Sequence, residues 1–231
     1  MKTFHFQKFT VNQSAKVFRV GTDGVLLGAW ATVEKAENIL EIGTGTGLIA
    51  LMIAQRNPKA FITAIDINEE AVTLASENFR NSPYRDRLKA ILQDFKQIKT
   101  EEKFDLIVSN PPYFEENSSE KDILARQQTE LSFVDLIRNA SKSLSGKGIL
   151  SVIIPFNSGH DFERICREHN LFPTKKITIS GIKTATPKRL ILEFGLNAGK
   201  VIETEFVIEK SPRKYSDSYL ELTKDFHVFR K

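Results

Sequence analysis

A chain of 231 residues with 41% hydrophobic and 27% charged side chains has the makeup of a globular protein, near the upper size that one hydrophobic core fills, so one domain is expected and wholesale disorder is excluded. The longest apolar runs, Leu48–Ala54 and Ile149–Phe156, fall far short of the ~20 residues that cross a bilayer, and Met1–Phe9 lacks the apolar stretch of a secretory signal, which makes the cytoplasm the expected location. The formal net charge of +4 is modest, so charge alone imposes no function.

In chain order, residues 1–30 read as an N-terminal cap, residues 31–200 as a catalytic core and residues 201–231 as a terminal strand and helix, all within a single domain. The core alternates short Ile- and Val-rich runs with amphipathic segments. Asn38–Ile42, Phe61–Asp66, Leu88–Gln93, Phe104–Ser109 and Gly148–Pro155 have the length of buried strands, and Leu48–Arg56, Glu69–Phe79 and Phe133–Leu144 have helical patterns. That order predicts an α/β fold with a doubly wound, mostly parallel sheet. After a helix near Ser158–His169 come strands near Lys175–Ile179, Arg189–Leu196 and Ile202–Ile208, joined by turns such as Asn197-Ala198-Gly199, so the sheet is expected to end in an antiparallel C-terminal edge. A helix near Ser216–Lys224 closes the chain. The polar stretch Tyr113–Glu130 has no periodicity and reads as a long functional loop or as disorder.

Charge is unevenly placed. Residues 1–20 carry Lys2, Lys8, Lys16 and Arg19 and no acid; Leu171–Leu192 carries Lys175, Lys176, Lys183, Lys188 and Arg189 and no acid. Such segments suit phosphate backbones, and equally suit a solvated face. A lone Cys166 forms no internal disulfide and reads as packing, and the scattered His5, His160, His169 and His227 offer no metal-ligand spacing, so no metal is expected.

The chemistry concentrates at the strand ends. Glu41-Ile42-Gly43-Thr44-Gly45-Thr46-Gly47 follows the first core strand, where a doubly wound sheet binds a nucleotide-like ligand. Asp66 ends the next strand, a position from which a carboxylate accepts both hydroxyl hydrogens of a ribose. These residues fit nicotinamide dinucleotide or S-adenosylmethionine. The Gly-x-Gly-x-Gly spacing and the acid Glu41 favour a ligand with an ammonium group over a pyrophosphate. Asp94 and Phe95 after the third strand suit an adenine amino group and ring, although Asp94 also reads as a helix N-cap. Asn110-Pro111-Pro112-Tyr113 ends the fourth strand. Each proline holds its predecessor extended and lacks an N–H, so the Asn110 side-chain oxygen and the Pro111 carbonyl can accept both hydrogens of one planar amine, with the Tyr113 ring for stacking.

These residues resemble class I S-adenosylmethionine-dependent methyltransferases of the amino-group type. With Val20–Trp30, Ser82-Pro83-Tyr84, Asn110–Phe114 and Tyr215–Tyr219, nearly the whole chain is similar to the tRNA(Val) adenine-37 N6-methyltransferase family. The resemblance implies a seven-stranded Rossmann-like sheet. It also implies S-adenosyl-L-methionine held by Thr22, Asp23, Glu41, Gly43, Gly45, Gly47, Asp66, Asp94 and Phe95, with Asn110, Pro111, Pro112 and Tyr113 catalytic. A Thr-Asp-Gly turn or helix cap is the plainer reading of Thr22 and Asp23. The expected reaction is methylation of adenine N6 in the tRNA anticodon loop by a monomer that needs no metal and no membrane. Methylation of guanine N2 in ribosomal RNA or of a protein glutamine uses the same motif. A nicotinamide-dependent oxidoreductase and a non-catalytic RNA-binding protein are the readings outside that chemistry.

Overall fold

The computed structural model describes residues 2–17, 19–98, 101–111 and 131–228. The alternating aromatic residues at the start of the chain form a hairpin, β1 (Lys2–His5) with β2 (Thr10–Gln13), which makes its own two-stranded sheet. Phe6 behind it stacks on Phe9 and on His227, tying the N-terminal segment to the C-terminal one. A first helix, α1 (Thr22–Trp30), leads into the core.

The core begins with β3 (Asn38–Ile42), α2 (Leu48–Arg56), β4 (Phe61–Asp66), α3 (Glu69–Arg80), β5 (Leu88–Leu92) and β6 (Phe104–Ser109). After α4 (Phe133–Ser143) and β7 (Leu144–Pro155), the parallel strands stand in the order β5-β4-β3-β6-β7. Successive residues face opposite sides of a strand, and the burial follows that period: Ile39 packs with α1, α2 and α3, while Leu40 packs with α4 and α5 (Gly159–Glu168). Both faces are therefore covered, which is why these strands read as continuous apolar runs. Leu51, Met52 and Ile53 of α2 are fully buried, each such side chain stabilising by about 1.5–3 kcal/mol relative to exposure.

Beyond α5, β8 (Phe172–Ile182) and β9 (Arg189–Gly195) form an antiparallel hairpin, and β9 also pairs antiparallel with β7. The expected antiparallel C-terminal edge is present. The strand count differs, because β10 (Ile202–Ser211) and the two-residue β11 (Lys214–Tyr215) bring the main sheet to nine strands among the described residues, against the seven expected. The hairpin expected at Asn197-Ala198-Gly199 does not form. Both edges of β9 are already occupied by β7 and β8, so β10 has no place beside it and lies parallel to β8 on the outer side. The closing helix α6 (Asp217–Thr223) is capped by Ser216, whose hydroxyl oxygen accepts from the Tyr219 amide. The strand order reverses between β3 and β6, and the crevice at that switch point lies at the carboxyl ends of both.

Candidate active site

At the carboxyl end of β3 the chain must turn sharply into α2. Gly43, Gly45 and Gly47 take φ of 73°, 55° and 80°, the left-handed region that side chains with a Cβ avoid. A Cβ on Gly47 would also stand 2.5 Å from the Phe79 ring. The turn is held from three sides. The Gly43 and Thr44 amides donate to the Ile65 carbonyl at 2.9 and 3.1 Å, the Gly45 amide donates to Asp66 Oδ2 at 2.9 Å, and Asn78 Nδ2 donates to the Thr46 carbonyl at 2.8 Å. Asn78 is 1% exposed and also exchanges hydrogen bonds with the Asn12 backbone, so it links the N-terminal hairpin to the glycine turn. Sequence reasoning missed it; its one signal is an asparagine inside a helix, where that residue type is a weak helix former.

Glu41 lies beneath the turn with 0% exposure. Its Oε2 accepts from the Thr44 hydroxyl at 2.7 Å, and its Oε1 is buried with no hydrogen-bond partner among the described residues. Burial raises its pKa from 4.5 to about 8, outweighing the Thr44 hydroxyl and the Ala50 amide, which act to lower it. A buried carboxyl with one idle oxygen is a ready partner for a ligand cation.

The carboxylates at the next two strand ends each hold local backbone. Asp66 is half-buried, and its Oδ1 accepts from the Asn68 amide at 3.0 Å while Oδ2 holds Gly45, so the carboxylate joins two loops of the crevice. Ile67 beside it is 57% exposed, an apolar surface at the crevice edge that the sequence reading passed over because the Ile merely continues a strand pattern. Asp94 is a cap: its Oδ1 accepts from the Lys96 amide at 2.8 Å at the head of a short 3-10 turn. Phe95 requires a correction. Its ring is 2% exposed and packs in the core with Ile42, Ile65 and Leu136, so it presents no open face to an adenine. Phe95 lies three residues past the end of β5 and is drawn inward because α4 covers that side, with Asn139 Nδ2 donating to the Phe95 carbonyl at 2.8 Å.

Across the switch point, Ser109 donates its hydroxyl to the Ile42 carbonyl at 3.0 Å and so ties the end of β6 to the end of β3. Asn110 follows directly, which places it against the glycine turn. Its Oδ1 is buried and has no hydrogen-bond partner among the described residues. An unpaired buried amide oxygen costs ~1–3 kcal/mol, a cost that a donor from a ligand would remove. Pro111 is buried next to it; Pro112, Tyr113 and the Tyr113–Glu130 loop lie outside the described residues.

Thr22 and Asp23 begin α1, whose N-cap is Gly21. Asp23 Oδ2 accepts from Arg189 Nε at 2.8 Å, and both lie on the wall of a cavity of about 380 Å³ that opens between α1, β8, β9 and β10. The basic stretch is also partly spent on internal pairs. Lys175 reaches Glu193 at 3.1 Å, Lys176 reaches Glu163 at 2.7 Å, and Lys16 of the N-terminal group reaches Glu70 at 2.6 Å. Lys183 and Lys188 remain exposed and without an ion pair among the described residues. Cys166 is 0% exposed, and burial pushes its thiol pKa far up, as a packing residue requires. No cluster of His, Cys, Asp or Glu suited to a metal occurs among the described residues, and no described helix is long and apolar enough to cross a membrane.

Residues 13–169 match the family model of the methyltransferase small domain. A protein of Flavobacteriaceae bacterium (strain 3519-10) named tRNA1(Val) (adenine(37)-N6)-methyltransferase is 56% identical over 230 residues, covering 99% of this chain and 100% of its own. A protein of the same name from Bacteroides thetaiotaomicron is 39% identical over 99% of this chain and 98% of its own. Among solved structures, a predicted O-methyltransferase from Agrobacterium tumefaciens superposes with a TM-score of 0.70 at 20% identity, covering 88% of this chain and 96% of that one.

Proposed function

Because the chain belongs to the methyltransferase small-domain family and is related over its whole length to the tRNA1(Val) (adenine(37)-N6)-methyltransferases, we propose that it methylates adenine N6 in tRNA, at position 37 beside the anticodon of valine tRNA. The methyl donor is S-adenosyl-L-methionine. The observation that carries the assignment is Asn110 Oδ1, buried and unpartnered at the switch point, on the residue that follows Ser109 and its bond to the Ile42 carbonyl.

The crevice fits the donor. The idle Glu41 Oε1 suits its ammonium group, the backbone of Gly43, Gly45 and Gly47 permits close approach, and Asp66 suits the ribose hydroxyls. Asp94 borders the same crevice in this reading, Thr22 and Asp23 form the wall between it and the cavity beside α1, and Phe95 contributes through its backbone position instead of its ring. The donor supplies a methyl carbon activated by its positively charged sulfur. The protein supplies alignment. Asn110 Oδ1 and the Pro111 carbonyl accept the two N–H groups of the adenine amine, which draws its lone pair out of the ring and toward the methyl group. Holding amine and methyl in line converts an improbable encounter into an intramolecular step. Pro112 keeps Pro111 extended and Tyr113 stacks on the base. The alkylated amine sheds its proton to water, so no general base is needed. The base must leave its stack to reach Asn110, a small cost in a single-stranded anticodon loop. This reading carries with it a single methyltransferase domain with an N-terminal cap, acting as a monomer in the cytoplasm.

The test is Asn110→Ala, assayed with labelled S-adenosyl-L-methionine and unmodified valine tRNA. Methyl incorporation should fall by at least 100-fold while S-adenosylhomocysteine binding stays within a few-fold of the wild type. Wild-type turnover in the variant would refute the assigned role. Mass spectrometry of tRNA from cells lacking the gene should show loss of N6-methyladenosine at one isoacceptor.

A further inference from the structure

We propose that the cavity between the start of α1, the β8–β9 hairpin and the β10–β11 corner is a subsite for the nucleotide adjoining the target adenine, with its phosphate at Lys188 and its base against Tyr215. The inference rests on the RNA reading of the active site.

Topology places the cavity on the substrate side. Glu41, Asp66 and Asp94 lie at the carboxyl-end side of β3, β4 and β5, on one flank of Asn110; the cavity is lined by residues of β8, β9 and β10, on the other flank. Ser109 is level with Val152, and Pro155 with Arg189, so Asn110 and Arg189 are separated by two strand spacings and two residues along the sheet. That is about 12 Å, a gap a neighbouring nucleotide spans.

The lining has the chemistry of a nucleotide. Arg189 is held by Asp23, and Glu209 Oε2 accepts from the Arg213 amide at 3.0 Å, a bond that orients the Glu209 carboxyl without neutralising it. The Lys188 ammonium, exposed and without an ion pair among the described residues, is the cation at the rim open to a phosphate. Its backbone is fixed on both sides, donating to the Ile179 carbonyl at 2.9 Å and accepting from the Phe156 amide at 3.0 Å. Tyr215 is 43% exposed on the opposite wall and is already stacked on Tyr219, with centroids 4.5 Å apart and planes 20° from parallel. A cation and a braced aromatic ring across a cavity of about 380 Å³ match a phosphate and a base.

The experiment compares the wild type with Tyr215→Ala, Tyr215→Phe, Lys188→Ala and a charge control, Lys59→Ala, at the opposite end of the sheet. Methyl transfer to an anticodon stem–loop oligoribonucleotide, direct binding of that oligoribonucleotide and binding of S-adenosylhomocysteine are measured for each. Tyr215→Ala should raise KM for the RNA about tenfold, and Tyr215→Phe should restore it. Lys188→Ala should weaken RNA binding and reduce its salt slope by about one, with Lys59→Ala near the wild type. S-adenosylhomocysteine affinity should not move in any of them. RNA binding and KM equal to the control in both Tyr215→Ala and Lys188→Ala would overturn the subsite, as would a parallel loss of S-adenosylhomocysteine binding, which would make the cavity part of the donor site. A wild type that binds the oligoribonucleotide but never methylates it would refute the proposed reaction, while the binding differences would still decide the subsite.

Discussion

Replacing Glu41 by Gln should stabilise the protein increasingly as pH rises. In the folded chain the carboxyl keeps its proton until about pH 8, whereas its ordinary value is 4.5. Below pH 4.5 both states hold the proton and the group contributes no penalty. Between 4.5 and 8 the unfolded chain releases the proton and the folded chain does not, so stability falls with pH by about 1.4 kcal/mol per unit. Above pH 8 the folded carboxyl ionises too, and the accumulated loss of roughly 5 kcal/mol levels off. Gln keeps an oxygen acceptor for the Thr44 hydroxyl and carries no ionisation cost. The stability advantage of Glu41→Gln over the wild type should therefore grow by about 3 kcal/mol between pH 5.5 and 7.5, or about 6–12 °C in Tm for a chain of this size. Thermal and urea unfolding of both proteins across that range measures the difference, in which every other titrating group cancels. A difference that stays flat with pH would refute the argument that burial holds the Glu41 proton.

Other substitutions probe the frame around the site. Gly47→Ala places a Cβ at φ 80° and 2.5 Å from Phe79, so it should cost about 1–3 kcal/mol in urea unfolding and weaken S-adenosylhomocysteine binding by calorimetry. Ser109→Ala removes the tie to the Ile42 carbonyl; the expected loss is about 1 kcal/mol of stability, with kcat falling more than KM rises because Asn110 is less well placed. Cys166 is fully buried with its thiol pKa raised, so Ellman's reagent at pH 8 should label it in urea and leave the native protein unmodified; rapid native labelling would contradict the packing around α5.

Much of this protein is written in local pattern. The apolar strand runs, the three glycines, the Asp66 strand end and the run beginning Asn110-Pro111 are each short, and short-range sterics determine their conformation, so the crevice and the order of its residues could be read directly from the chain. Tertiary structure decided what depends on distant partners. Asp23 meets Arg189 across 166 positions, and Lys175 and Lys176 are absorbed by Glu193 and Glu163, so a basic stretch in the chain is not a basic surface in the fold. Phe95 turned inward because α4 covers it, and β10 paired with β8 because β9 had no edge left. Burial and pairing are properties of the assembled sheet. Neither the raised Glu41 carboxyl nor the unpartnered Asn110 oxygen exists until elements far apart in sequence close over them.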